Sequence, residues 1–154
     1  NGDTAELHGV ELAVQKIFDN GIGLQANYTF ADTSSSTTVN GVKVDGELDG
    51  VSQNTYNLVA FYETEVYNAR LSYSHRDDYI AGARQGNWSN PLSNVEYNGL
   101  DLSLGYNVNE NLSLYLEAQN LLEENGQTFW GDKTATHYYE QYYRRFEIGV
   151  RFKF

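Results

Sequence analysis

The chain has 154 residues, enough for one domain with a sizeable core, and carries a formal charge of -11. It has no cysteine, which excludes disulfide frameworks, thiol catalysis and Cys-ligated metals. Its acidity argues against nucleic acid as a partner, because phosphate binding needs clustered Lys and Arg.

One proline stands against 14 glycines, with 13 Tyr, 7 Phe and 2 Trp. There is no methionine, so the chain is expected to be a processed product or a fragment of a longer one. No window holds the ~18 consecutive apolar residues of a membrane helix, and the opening Asn1-Gly2-Asp3-Thr4 is no signal peptide. Mean hydropathy is negative, but a membrane barrel places its lipid face in every second residue and averages as polar.

In chain order, the first segment alternates Val10, Leu12 and Val14 with Glu11, Ala13 and Gln15. Asp19-Asn20-Gly21 then forms a tight turn. Ile22, Leu24, Ala26, Tyr28 and Phe30 follow, each separated by Gly23, Gln25, Asn27 and Thr29. A long polar stretch covers 31–52. Tyr56, Leu58, Ala60 and Tyr62 alternate next, blurred by Val59 and Phe61, and Glu63-Thr64-Glu65 turns the chain. Tyr67, Ala69, Leu71 and Tyr73 face away from Asn68, Arg70, Ser72 and Ser74. After a second polar stretch, 77–96, come Leu100 to Val108, the turn Asn109-Glu110-Asn111, and Leu112 to Ala118. A third stretch, 122–137, leads to Phe146, Ile148, Val150, Phe152 and Phe154.

Seven such alternations give an all-β, antiparallel chain. Short turns alternate with long polar connections, and long connections are uncommon in compact soluble domains. Strands of roughly 9–14 residues match a tilted bilayer crossing, and aromatic residues such as Phe18, Phe30, Tyr62, Tyr67, Tyr106, Phe152 and Phe154 sit near strand ends, where interfacial girdles form. The expected architecture is a transmembrane β-barrel. With the tight turns periplasmic, the first and last strands both descend, which leaves the chain starting outside. The expectation is therefore the last seven strands of a larger barrel, residues 1–154 forming its C-terminal part. Seven strands alone would leave two edges open in lipid.

The residues resemble the C-terminal end of TonB-dependent outer-membrane receptors. The likeness rests on Gly9-Val10-Glu11-Leu12, Gly23-Leu24-Gln25-Ala26-Asn27-Tyr28-Thr29-Phe30, the run from Ala69-Arg70-Leu71 through His75-Arg76-Asp77-Asp78-Tyr79, Leu116-Glu117-Ala118-Gln119-Asn120-Leu121 and Gly149-Val150-Arg151-Phe152-Lys153-Phe154. Tyr139-Glu140 to Arg144-Arg145, ahead of Gly149-Val150-Arg151, is closest to the Caulobacter- and Xanthomonas-type subclass, often linked to oligosaccharide uptake. Tyr143 stands where that subclass often has Gly.

The resemblance implies a barrel of about 22 strands in a Gram-negative outer membrane, importing a scarce solute, an oligosaccharide or else a siderophore or similar chelate. It implies partners too: the TonB complex acting through a plug that this chain lacks, the barrel-assembly machinery, outer-membrane lipid and a small-molecule substrate. No cofactor is expected. The alternatives are a soluble β-sandwich or lipocalin-like binding module and a small eight-stranded membrane barrel.

Phe154, with Phe152 and Val150, resembles the signal read by the assembly machinery, for which strand addition supplies a rationale. Trp88, Trp130, Tyr138 and Tyr139 lie in or beside long connections, where aromatic faces can stack on sugar rings; an interfacial belt is the plainer role. Arg70, Arg76, Glu117, Glu147 and Arg151 fall on the polar face and are expected to line the lumen and meet a plug. Asp45, Glu47 and Asp49 lack a calcium-loop pattern, and His8, His75 and His137 lack metal-ligand spacing. No constellation for catalysis stands out, so the chain is expected not to be an enzyme.

Overall fold

The structure, a computed structural model, describes residues 4–39, 41–82 and 90–154, without the side chains of Thr37 and Val39. It is all strand and turn. Seven long strands follow one another in a meander: β1 (Thr4–Ile17), β2 (Ile22–Val39), β4 (Asn54–Glu63), β5 (Tyr67–Arg76), β8 (Tyr97–Asn109), β9 (Leu112–Gln119) and β12 (Arg145–Phe152). Each pairs antiparallel with the next, and β3 (Val42–Gly46) is added beside the far half of β2. These are the seven alternating segments of the sequence.

Register explains why alternation matters. Directly opposed residues share a face, so one row crosses all seven strands: Lys16, Leu24, Ala60, Leu71, Leu102, Ala118 and Phe146. The next row runs Ile22, Tyr62, Ala69, Leu104, Leu116 and Ile148. The face is continuous and, Lys16 apart, apolar, and among the described residues nothing covers it. Among the described residues only Ala118 and Phe129 are buried hydrophobics, while Val14 is 66% and Ile148 78% exposed. A sandwich or lipocalin would bury this face inside itself. Here it points outward over its whole extent, as a lipid-facing wall does.

The opposite face carries Gln15, Gln25, Asn27, Asn57, Ser72, Ser74, Asp101, Ser103 and Glu117. Val59 and Phe61, which blur the pattern of β4, belong to it. Phe61 is opposed to Gly23, and its ring occupies the space a side chain at 23 would take. Tyr115 covers Gly149 in the same way.

The tight turns all lie at one end. Phe18 donates its amide to Ile22 O at 2.8 Å, Asn20 Oδ1 accepts from Ile22 N, and Gly21 takes the φ of +85° that a side chain disfavours. Thr64 and Asn109 cap the other two turns with side-chain oxygens.

The other end departs from the sequence reading. Expected as polar loops, the long connections carry strands of their own. β2 continues to Val39 and hairpins into β3, with Ser36 opposed to Asp45. β6 (Tyr79–Gly82), β7 (Leu92–Asn94), β10 (Gly126–Trp130) and β11 (Thr136–Glu140) form a second sheet in the order β11-β10-β7-β6.

Candidate functional site

The notable side chains fall into three groups, on the polar face, at the barrel rim and on the second sheet. Arg70, Arg76, Glu117, Glu147 and Arg151 all fall on the polar face, opposed respectively to Phe61, Thr55, Ser103, Glu117 and Ser113. Among the described residues none of the five enters an ion pair. Arg70 instead lies over the Phe61 ring at 5.2 Å and Arg76 over Tyr79 at 4.3 Å. Glu117 and Glu147 stand directly opposite one another, a like-charge pairing that costs stability unless something else neutralises it. A shallow cavity of about 150 Å³ lies beside them, lined by Arg70, Ser72, Asp101, Ser103, Glu117 and Gln119.

The second group is a polar junction where β4, β5 and β8 reach the long connections. Asp77, just past β5, accepts from Asn54 N at 3.0 Å and from Asn54 Nδ2 at 2.6 Å through Oδ2. Its Oδ1 lies 3.0 Å from His75 Nε2, whose Nδ1 is 2.8 Å from Asn98 Oδ1. Tyr73 donates to the same Asn98 oxygen, and Tyr56 stacks on His75 at 4.6 Å. Burial raises the Asp77 carboxyl, but the hydrogen bonds from Asn54 and His75 outweigh it and hold it below the usual range. The junction ties the start of the 77–96 connection to the barrel rim.

The third group sits on the second sheet. Trp130 meets His137 edge-on at 5.5 Å, and His137 Nδ1 is 3.1 Å from Thr128 Oγ1. A register shift after Thr128 sets His137 out of the regular alternation. Lys133 Nζ reaches Glu96 Oε2 at 2.5 Å and Asp78 Oδ2 at 3.7 Å, joining the two long connections, and its pKa is raised by the Glu96 hydrogen bond. Tyr138 and Tyr139 are both half-exposed, on opposite sides of β11. Tyr138 donates to Glu140 Oε1 at 2.9 Å, and Tyr142 donates to Glu140 Oε2. Those bonds lower the Glu140 pKa and raise both phenols. Trp88 lies outside the described residues. Tyr142 belongs with Tyr143 to the same set of loop aromatics in the sequence, but the bond that joins it and Tyr138 to Glu140 is not legible there.

At the tight-turn end, Val150 opposes Leu114 and Phe152 opposes Leu112 on the apolar face. Phe152 and Phe154 meet edge-on at 5.1 Å, and Asn111 bonds the Lys153 backbone in both directions. Asp45 pairs with Lys43 at 3.6 Å, and no metal-binding group of side chains occurs among the described residues.

A sequence profile of the family described as "TonB dependent receptor-like, beta-barrel" matches residues 1–121. No curated protein matches the chain. Among solved structures, the siderophore receptor PiuA from Acinetobacter baumannii aligns over 97% of this chain, with a TM-score of 0.69 and 21% identity. The aligned part is 22% of that receptor, so this chain spans about a fifth of its length. At that identity the likeness is one of fold.

Proposed function

The chain belongs to the TonB-dependent receptor β-barrel family, and from that premise we propose that it forms one arc of an importer's wall, its polar face lining the lumen. The family places it in the outer membrane of a Gram-negative bacterium. The observation that carries the reading is the apolar face, continuous across seven strands and left uncovered by the described residues. In the whole receptor the long connections meet the solute outside. The TonB complex acts on a plug seated within the barrel, and the solute passes along the polar face. Arg70, Arg76, Glu117, Glu147 and Arg151 supply lumen and plug contacts. Val150, Phe152 and Phe154 present the assembly signal to the barrel-assembly machinery.

For the solute, an oligosaccharide is our first reading. The run from Tyr139 to Arg145 supports the Caulobacter- and Xanthomonas-type subclass, and Trp130, Tyr138 and Tyr139 offer ring faces. The three long connections, 31–52, 77–96 and 122–137, hold ten carboxylates against three Lys and Arg, which places -7 of the chain's -11 at that end and repels polyanions. A siderophore or similar chelate is the second reading, favoured by the named specificity of the solved receptor of like fold.

Uptake by cells with and without the receptor, and with and without TonB, tests both readings. Receptor- and TonB-dependent entry of a labelled oligosaccharide supports the first, and entry of an iron chelate the second. Uptake of both that is unaffected by loss of either protein overturns the import reading.

A further inference from the structure

Tyr138 and Glu140 are two residues apart in β11 and leave it on one side, and Tyr142, two residues past the strand's end, reaches the same carboxylate. Each carboxylate oxygen accepts from one phenol. The rings are therefore fixed by their own hydroxyls, while 54% of Tyr138 and 50% of Tyr142 stays exposed. Gly126, the register partner of Glu140, leaves the room: a methyl group there would come within 3.3 Å of Tyr142 Cε2. Among the described residues no Lys or Arg pairs with Glu140.

The chemistry of this arrangement is one-sided. The carboxylate is ionised and carries spare lone pairs, and each ring face carries the negative side of its quadrupole. All three groups attract a cation. A neutral hydroxyl can donate to the spare lone pairs but gains no charge attraction and finds both phenol protons already spent, and an anion meets repulsion. The -7 carried by the long connections adds a field of the same sign.

We propose that Tyr138, Glu140 and Tyr142 form an aromatic–carboxylate cage that recognises an ammonium group on the imported solute. The solute class is thereby narrowed to amine-bearing molecules such as amino-sugar oligomers. This rests on the import reading only in making the cage's ligand a transported one.

The test uses the full receptor purified in detergent and calorimetric titration with two disaccharides of equal ring count, free-amine glucosamine dimer and its N-acetylated form. The amine form is expected to bind about tenfold more tightly, the scale of one desolvated cation–aromatic contact. Glu140→Gln should erase that preference while the unheated gel band stays folded. Tyr138→Phe/Tyr142→Phe keeps rings and charge but frees them, and should reduce the preference severalfold. Equal affinities, no binding of either dimer, or a preference that survives Glu140→Gln overturns the cage. The import reading stands or falls separately, on uptake in cells.

Discussion

The ring of Tyr115 lies across Gly149 on the neighbouring strand, in the volume a side chain at 149 would need. The same relation holds between Phe61 and Gly23, and between Asn68 and Gly105. All three pairs are on the polar face. A large side chain there shields the backbone that the glycine leaves bare, so each pair acts as one unit.

Gly149→Val is expected to expel the Tyr115 ring and cost about 1–3 kcal/mol, the scale of overpacking. The check is the temperature at which the unheated receptor band converts to the heated form, which should fall. Gly149→Val with Tyr115→Ala should recover part of the loss, because the added methyl groups then fill vacated space.

Asp77 sets an acid limit on the rim. Its carboxyl is held below the usual carboxylate range by the hydrogen bonds from Asn54 and His75, so the stability it contributes is present above that range and is lost as pH falls through the lower folded pKa. Protection of the Asn54 amide, taken relative to its intrinsic exchange rate at each pH, should fall as pH drops below the usual carboxylate range in the native receptor. Asp77→Asn should give weaker protection at neutral pH and remove the acid step.

Lys133 bridges Glu96 and Asp78, but all three side chains are about half-exposed. Lys133→Ala is therefore expected to cost no more than about 0.2–1 kcal/mol, and less in high salt. Limited proteolysis at low and high ionic strength measures it; a large, salt-independent effect would contradict the exposed geometry.

Removing Phe154 tests the assembly role. The ring is fully exposed and, among the described aromatic residues, touches only Phe152, so its loss removes little packing. A severalfold fall in heat-modifiable receptor in the membrane, with unchanged thermal stability of what does assemble, is the expected result. Unchanged yield would leave Phe154 as an ordinary strand end.

Much of this fold is legible in the sequence because a strand has a period of two and one face meets an apolar medium. Leu102, Leu104 and Tyr106 announce their strand without help from any partner. Val59 and Phe61 obscure theirs for a reason no single strand can show: Phe61 answers a glycine more than thirty residues earlier. The second sheet was hidden differently. β6, β7, β10 and β11 have three to five residues each, too few for a period to emerge, and the Ser/Thr run of β2 has no apolar partner to alternate with. The five charged wall residues were placed on their face by parity alone. The tie at Glu140 is not legible in the sequence because it depends on Tyr142, past the end of β11, turning back to the carboxylate.

The three tight turns fix the register from one end, through Gly21, Thr64 and Asn109. They join β1 to β2, β4 to β5 and β8 to β9, while the other three pairings rest on their own ladders and on the Asn54–Asp77 junction at the far end. Beyond that junction β6, β7, β10 and β11 pair with one another in a separate sheet, so these segments can be exchanged like cassettes between the same strands. A barrel anchored in this lopsided way can change what it recognises without renegotiating how it stands in the membrane.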